Sequence, residues 1–215
     1  MGPAIVILSG FGCVTHLYHI ALCSSVFIVH NLFSASATSI YIMSKNEASD
    51  FISGAGLQNQ NPQLWADMGC GSGLFSFALA QMLCSGSTIY AVDKTNSFSR
   101  TNRIEGIKTE LIQADFVHDA LGFKQLNGIL IANSLHYVAD KNALLHTFKT
   151  MLLPQGIFIV VEYDTVQPNR WLPYPVSFFQ LKQLFLTAGY TNTRKIGERK
   201  SVYNNTTMYA AIASS

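Results

Sequence analysis

The sequence predicts an α/β fold in which a mostly parallel sheet carries helices on both faces. Apolar runs of strand length alternate with helical stretches from residue 64 onward, and such alternation is typical of a parallel sheet. A glycine-rich turn follows the first run, as in folds that bind a ligand at the carboxyl end of a strand. Two late strands are predicted near Thr191–Ile196 and Met208–Ala213.

The first strand and its turn are the most informative segment. The run that starts at Leu64 ends in Asp67, and the turn that follows consists of Gly69, Cys70, Gly71, Ser72 and Gly73. Glycines allow positive φ angles and let a ligand approach the backbone. A helix is predicted over Leu74–Leu83, so its N-terminal amides would face that ligand. The alternative is a tight strand–helix turn that binds nothing.

The spacing of the glycines discriminates between two classes of nucleotide cofactor. Dinucleotide sites favour G-x-G-x-x-G, whereas this turn reads G-x-G-x-G and has Leu74 at the third glycine position. A carboxylate at Asp67 would repel a pyrophosphate and suits a cationic group, such as an ammonium or a sulfonium. The pattern therefore favours a cationic cofactor over a dinucleotide.

In these residues the chain resembles the class I S-adenosylmethionine-dependent methyltransferases, whose first motif is an acidic residue followed by G-x-G-x-G. The resemblance implies a Rossmann-like, seven-stranded, mostly parallel sheet with a C-terminal antiparallel strand. It also implies S-adenosyl-L-methionine as the cofactor, with the loop from Asp67 to Gly73 around its methionine part.

The second strand is predicted over Ser87–Asp93. Asp93 lies about 20 residues beyond the glycine turn, where a Rossmann-like fold places an acid on the ribose hydroxyls. A carboxylate accepts hydrogen bonds from a vicinal diol, so Asp93 and the adjacent Lys94 are predicted cofactor residues. The alternative is a turn or helix-capping Asp.

The third strand is predicted to end at Asp115 and Phe116. The resemblance implies that Asp115 accepts a hydrogen bond from the adenine amino group and that Phe116 covers the ring. The alternative for Phe116 is the core, and the alternative for Asp115 is a loop cap.

The fourth strand, from Gly128, runs into Asn133, Ser134, Leu135, His136 and Tyr137. The resemblance places the end of this strand against both cofactor and acceptor, so Asn133 and Ser134 are predicted cofactor residues. His136 is the candidate base because an imidazole titrates near neutral pH, and Tyr137 is a candidate for positioning the acceptor. A structural histidine is the alternative. The N-P-P-[YF] run of enzymes that methylate adenine or glutamine nitrogen is absent.

The remaining elements are predicted in order. Asp140 caps a helix that runs to about Leu153, where Pro154, Gln155 and Gly156 end it. A buried strand follows over Ile157–Val161. Glu162 and Asp164 after it face the carboxyl edge of the sheet, where ligands bind, but we interpret them as turn or capping carboxylates. A link over Pro168–Pro175 carries aromatic residues, among them Trp171 and Tyr174, that could cover an apolar acceptor. A helix over Ser177–Ala188 precedes the closing strands.

The amino terminus differs from the rest of the chain. Residues 1–44 contain no Asp, Glu, Lys or Arg. We interpret 1–42 as an apolar extension and 43–215 as the methyltransferase domain. The extension is a start-site over-extension, a membrane anchor through residues 4–33, or a secretory signal without a basic region. The first of these predicts a cytoplasmic protein.

Charge and cysteine content narrow the partners. The net charge is +2 with no basic stripe, so nucleic acid is disfavoured as substrate. The four cysteines lack zinc-ligand spacing, so no metal site is predicted. No substrate domain is inserted, which implies a small-molecule acceptor at a small site, or a site that a second subunit of a homodimer completes. Two rival functions remain: an NAD(P)-dependent oxidoreductase, and a non-catalytic subunit that assists another methyltransferase.

Overall fold

The computed structural model describes residues 43–57, 60–201 and 206–215. The predicted extension over 1–42 lies outside these ranges, as do the three histidines and two cysteines that it contains. Within the described ranges, none of the helices has the length and apolar character needed to cross a membrane.

The helices and strands follow the predicted alternation. Within the described residues there are seven strands: β1 (Leu64–Met68), β2 (Thr88–Asp93), β3 (Lys108–Gln113), β4 (Leu126–Ala132), β5 (Leu152–Tyr163), β6 (Asn192–Lys200) and β7 (Thr207–Ser214). The same part of the chain contains the α-helices α1 (Lys45–Ser53), α2 (Leu74–Ala80), α3 (Lys141–Lys149) and α4 (Phe178–Thr187). Short 3-10 turns at Arg100–Asn102 and Leu135–Tyr137 follow β2 and β4.

All seven strands form one sheet in the order β3-β2-β1-β4-β5-β7-β6. The first five are parallel, and β7 pairs antiparallel with both β5 and β6. This is the predicted Rossmann-like sheet with a closing antiparallel pair. The order reverses between β1 and β4, so the carboxyl ends of these two strands border a crevice.

Two apolar cores lie on opposite faces of the sheet. Helices α3 and α4 contribute Leu145, Phe148 and Phe185 to one core, and α1 and α2 contribute Ile52 and Leu79 to the other. These five side chains are fully buried. The two cores confirm that helices cover both faces, as the α/β prediction required.

The boundary between α3 and β5 corrects the sequence prediction. The helix ends at Lys149 rather than near Leu153, and β5 begins at Leu152. Leu152 pairs with Leu126 of β4, and the next ladder pair joins Ile157 to Gly128. The segment 153–156 therefore bulges from the ladder, and a bulge accommodates a proline that a regular central strand would exclude.

Strands β1 and β4 are joined by one close contact. Trp65 and Gly128 are register partners, and a Cβ added at Gly128 would lie 2.3 Å from the Trp65 ring. The indole is 1% exposed, and its Nε1 donates a hydrogen bond to Gln63 Oε1 at 2.7 Å. Glycine at position 128 thus leaves the space that the indole fills.

Candidate cofactor and acceptor site

The turn after β1 has the backbone geometry that its glycines predict. Gly69, Gly71 and Gly73 have φ angles of 80°, 52° and 84°, in the left-handed region where a side chain is strained. The N–H groups of Gly69 and Cys70 both donate to the carbonyl oxygen of Val92, at 2.8 and 3.0 Å. The turn is therefore held against the end of β2.

Two of these glycines also make room for protein side chains. A Cβ at Gly69 would lie 2.6 Å from Ser134 Cβ, and one at Gly73 would lie 2.3 Å from the Phe98 ring. Ser134 and Phe98 therefore occupy the space that a side chain at these two positions would need. Glycine is required there for packing within the protein, in addition to the approach of a ligand that the sequence predicts. Phe98 belongs to a loop whose Ser99 N–H donates to the carbonyl oxygen of Ser72 at 2.9 Å.

Asp67 is completely buried at the end of β1. Its Oδ2 accepts a 2.5 Å hydrogen bond from Ser76 Oγ, whereas Oδ1 has no hydrogen-bond partner among the described residues. Desolvation and, to a smaller extent, the nearby Asp93 charge raise the pKa of Asp67 to about 7, although the Ser76 hydrogen bond opposes the shift. The unpartnered acceptor fits a cationic donor such as an ammonium group.

Asp93 links the second motif to the first. Its Oδ2 accepts from the N–H of Gly71 at 2.8 Å, and its Oδ1 accepts from both the N–H and the hydroxyl of Thr95 at 2.9 Å. A ribose diol would share the carboxylate with these three donors. The structure thus brings Asp93 to the turn, and its predicted role on ribose remains a prediction.

Asp115, Phe116 and Lys94 lie at the ends of β3 and β2. Lys94 Nζ contacts Asp115 Oδ2 at 2.9 Å, and the lysine side chain is largely exposed. Partial burial acts to raise the pKa of Asp115, but hydrogen bonds from Lys94 and the Val117 N–H hold it below its ordinary value. Phe116 is buried in the core and would contact a Cβ at Gly69 at 3.3 Å, so it also borders the glycine turn.

Asn133 and Ser134 connect the ends of β4, β1 and β5. Asn133 has a φ of 53°, and its N–H donates to the carbonyl oxygen of Val161 at 2.8 Å. Its side-chain Oδ1 is a second buried acceptor without a partner in the described part of the chain. Ser134 Oγ donates to the carbonyl oxygen of Met68 at 2.6 Å. Ser134 therefore lies between the ends of β4 and β1, and Asn133 lies between the ends of β4 and β5.

His136 is paired with a carboxylate that the sequence analysis interpreted as a turn or cap. Glu162 Oε2 lies 2.8 Å from His136 Nδ1, and Glu162 Oε1 accepts from the His136 backbone N–H at 3.1 Å. The two residues are 3% and 1% exposed. The interpretation of Glu162 as a turn residue was wrong, because Glu162 lies inside β5 next to the end of β4.

Tyr137 is exposed, in contrast to its neighbour. Its ring centroid lies 4.2 Å from that of His136, and 43% of the residue is accessible to solvent. Burial of part of the side chain, together with the Glu162 charge, raises the pKa of the Tyr137 hydroxyl. The phenol is therefore neutral at physiological pH and available as a hydrogen-bond donor.

The link between β5 and α4 is fixed to the His136 turn. The Tyr174 N–H donates to the carbonyl oxygen of His136 at 3.0 Å, and Lys141 Nζ donates to the carbonyl oxygens of Val138 and Tyr174. Trp171 and Tyr174 remain 42% and 47% exposed although hydrogen bonds anchor the link. Exposed aromatic residues thus lie on an ordered segment next to His136.

Comparisons with known proteins found one family model that matches part of the chain. Residues 66–160 match the family model described as a methyltransferase domain. This match is consistent with a class I S-adenosylmethionine-dependent methyltransferase. No curated protein sequence matches it.

Solved structures of methyltransferases share its fold. A Nostoc punctiforme protein assigned as an O-methyltransferase matches with a TM-score of 0.60 and 19% identity, over 80% of this chain and 57% of that one. A Burkholderia thailandensis 1,6-didemethyltoxoflavin-N1-methyltransferase, bound to its substrate and S-adenosylhomocysteine, matches with a TM-score of 0.58 and 18% identity, over 79% and 77%. The Synechocystis magnesium protoporphyrin IX methyltransferase with bound S-adenosylmethionine matches with a TM-score of 0.55 and 13% identity, over 79% of each chain. This chain thus spans little more than half the length of the Nostoc protein.

The family and fold predictions are confirmed, whereas the individual residue roles remain predictions. The structure brings the four motifs to one edge of the sheet, with Lys94 at its exposed margin. Sequence reasoning overlooked Glu162 as the partner of His136, and Phe98 as the side chain packed on the glycine turn. In the part of the chain that is described, no cluster of three or more His, Cys, Asp or Glu residues could hold a metal ion.

Proposed function

We propose that this protein transfers the methyl group of S-adenosylmethionine to a small-molecule acceptor. The unpartnered, fully buried Asp67 Oδ1 at the switch point is the observation that carries the proposal. A buried acceptor without a donor is costly, and a ligand ammonium group would remove that cost. When bound, S-adenosylmethionine supplies an electrophilic methyl group on a positively charged sulfur.

The cofactor roles are assigned to the residues that surround the crevice. Asp67 binds the ammonium group, and the turn residues Gly69, Cys70, Gly71, Ser72 and Gly73 enclose the methionine part. Asp93 binds ribose, with Lys94 beside it. Asp115 and Phe116 bind adenine, and Asn133 and Ser134 contribute from β4. The unpartnered Asn133 Oδ1 supports this placement, since it offers a second acceptor on the neighbouring strand.

The acceptor is proposed to be a small molecule with an aromatic or otherwise apolar body. Trp171 and Tyr174 offer exposed rings on a segment that hydrogen bonds hold to His136. Aromatic side chains bind planar apolar groups through large contact areas. The Burkholderia neighbour acts on a small heterocycle and the Synechocystis neighbour on a porphyrin, which supports an acceptor of this kind.

His136 is proposed as the base and Tyr137 as the residue that positions the acceptor. Because His136 is nearly inaccessible, an acceptor can contact its ring only after a neighbouring group has moved. We expect that group to be Tyr137, whose exposed ring lies against the imidazole. The protein mainly has to align the acceptor atom with the methyl group and the sulfur, and to exclude water. The sulfonium itself needs little further activation, because its leaving group is a neutral thioether.

Calorimetric titration of the full chain with S-adenosylmethionine, S-adenosylhomocysteine and NADH tests the cofactor assignment. Binding of the first two at micromolar concentration, with none for NADH, is expected. Binding of NADH alone would move the protein to the oxidoreductases. Binding of none of the three by the folded chain would refute the proposal.

A second candidate function is a cofactor-binding subunit that assists another methyltransferase. The burial of His136 favours it, because a base has to contact its substrate. Only the enzyme would convert S-adenosylmethionine to S-adenosylhomocysteine. Release of S-adenosylhomocysteine by the isolated chain in the presence of aromatic acceptors would therefore exclude the role of a non-catalytic subunit.

We also propose a cytoplasmic location, because S-adenosylmethionine is made in the cytosol. We propose a homodimer that completes the acceptor site, because no substrate domain is inserted in the chain. We propose that nucleic acid is not the substrate, because the sequence has no basic stripe. Sedimentation of the full chain and a binding assay with RNA and DNA oligonucleotides test these two proposals.

A further inference from the structure

Glu162 binds His136 through both of its carboxylate oxygens. Oε2 lies 2.8 Å from ring Nδ1, and Oε1 accepts from the backbone N–H of the same residue at 3.1 Å. The pair is buried and comes from the ends of adjacent parallel strands, β4 and β5. One carboxylate therefore fixes both the position of the His136 backbone and the orientation of its ring.

This arrangement determines which ring nitrogen carries the proton. An ionised carboxylate has only acceptor sites, so a hydrogen bond between Glu162 and Nδ1 requires a proton on Nδ1. A neutral imidazole has one N–H, so the lone pair is then on Nε2. We propose that Glu162 is a positioning residue that holds His136 in the Nδ1–H form and makes Nε2 the basic atom. This inference rests on the proposed function for its catalytic meaning, but not for the tautomer itself.

The same geometry constrains the class of acceptor. A base is useful only when the acceptor atom loses a proton, which excludes a tertiary amine. Among the remaining acceptors, a hydroxyl or a ring N–H on an aromatic body fits the proposed site. The acceptor oxygen or nitrogen forms its bond to the methyl carbon, its proton goes to His136 Nε2, and the sulfur keeps the electron pair of the broken bond. The carboxylate at 2.8 Å stabilises the imidazolium that results.

The substitution Glu162→Gln reverses this pattern with little change in volume. The amide oxygen can accept from only one of the two donors, and the amide NH₂ group has to face the other. The backbone N–H of His136 cannot become an acceptor, whereas the imidazole can exchange its tautomer. We therefore expect Nδ1 to lose its proton to Nε2 in this variant, so that Nε2 no longer acts as a base.

Asp164→Asn provides the matched control. Asp164 lies two residues further on and accepts from the Phe178 N–H at 2.8 Å and from Lys195 Nζ at 3.0 Å. The same chemical change at this position removes a carboxylate near the same edge of the sheet without contact to His136. The His136 ring signals should therefore be the same in Asp164→Asn as in the unsubstituted protein.

The experiment is long-range ¹H–¹⁵N correlation NMR of the full chain labelled in histidine, with His136→Gln used to assign the signals. We expect a protonated Nδ1 and an unprotonated Nε2 in the unsubstituted protein, and the reverse in Glu162→Gln. A protonated Nε2 in the unsubstituted protein would overturn the inference, as would signals that Glu162→Gln leaves unchanged. The spectrum of the unsubstituted protein is decisive even if Glu162→Gln fails to fold.

A parallel titration with S-adenosylmethionine separates this inference from the proposed function. The unsubstituted protein and Glu162→Gln should bind the cofactor equally, because Glu162 acts on His136. Failure of the unsubstituted protein to bind would refute the proposed function and leave the tautomer assignment standing.

Discussion

Asp67 and Glu162 are two buried carboxylates at the same edge of the sheet, and their surroundings differ. Glu162 is 1% exposed and both of its oxygens are bound to donors on His136. Asp67 is 0% exposed, has one hydroxyl donor on Oδ2 and has no partner for Oδ1. The protein therefore supplies the partners of one carboxylate and leaves the other for a proton or a ligand.

The difference shows how one edge of the sheet separates two tasks. A carboxylate whose donors come from the protein fixes structure, because removing it leaves those donors buried and unpaired. A buried carboxylate with one unpartnered oxygen destabilises the ligand-free protein, and binding of a cation to that oxygen offsets the cost. Stability and cofactor affinity should therefore respond in opposite ways to changes at the two positions.

Glu162→Ala should give the largest effect. We expect the free energy of unfolding to fall by about 4 kcal/mol, because two buried N–H groups of His136 lose the acceptor that Glu162 provides. Urea unfolding measures the change. Glu198→Ala, at a more exposed carboxylate paired with Lys195 on the surface, should cost less than about 1 kcal/mol. Equal losses in the two variants would contradict a bridging role for Glu162.

Asp67→Asn should change the pH dependence of stability. Because the pKa of Asp67 is raised from 3.8 to about 7 on folding, its contribution to stability is greatest below pH 4 and is lost as the pH rises through 7. From pH 5 to pH 8 the unsubstituted protein should lose roughly 3 kcal/mol that Asp67→Asn keeps. If the free energy of unfolding depended on pH in the same way in both proteins, the pKa of Asp67 would not be raised on folding, and the prediction would be wrong.

Asp67→Asn should also weaken binding of S-adenosylmethionine. Loss of a charged hydrogen bond corresponds to about 2 kcal/mol, or roughly a 30-fold increase in Kd at pH 8. In the unsubstituted protein the affinity should fall as the pH decreases below about 7, since protonation removes the charge that attracts the ammonium group. Calorimetry from pH 6 to pH 8 checks both statements, and an unchanged Kd would remove Asp67 from the cofactor site.

Ser76→Ala should have the smallest effect. The hydroxyl donates the one hydrogen bond that lowers the pKa of Asp67, so its removal should raise that pKa further and reduce stability at pH 8 by about 1 kcal/mol. Carbon-13 NMR titration of the Asp67 carboxyl group measures the shift. Ser49→Ala, which removes a hydroxyl bonded to the carbonyl oxygen of Lys45, is the control and should leave the titration unchanged.

Local sequence patterns predicted the elements that have local causes. The glycine turn, β2, the capped helices and the closing strands could be recognised because turn residues and apolar periodicity mark them. The start of β5 could not be recognised, because residues 151–153 fit a helix as well as a strand. Their strand conformation depends on the pairing of Leu152 with Leu126 of β4. Proline at position 154 is tolerated because the ladder bulges there, a property of two strands rather than of one segment.

The sequence identified strand-end residues that the structure brings to one edge of the sheet, but it did not identify the partner of His136. Asp67 and Asp93 belong to spaced motifs, whereas Glu162 lies 26 residues from His136 and resembles an ordinary strand-end carboxylate. The available signal was topological: β4 and β5 were both predicted, and the ends of neighbouring parallel strands meet. Phe98 had no such signal, because its contact with Gly73 depends on the path of a loop without repeating pattern.

The contact between Trp65 and Gly128 has a mechanical consequence. The indole of β1 packs on Gly128 of β4 and leaves no room for a larger residue at position 128, so a side chain there would push the two strands apart. Asp67 lies two residues beyond Trp65, and the His136 turn extends from the other strand. Methyl transfer tolerates only small errors in the separation of donor and acceptor. Close packing of Trp65 on Gly128 is therefore expected to help fix the distance between the two halves of the site.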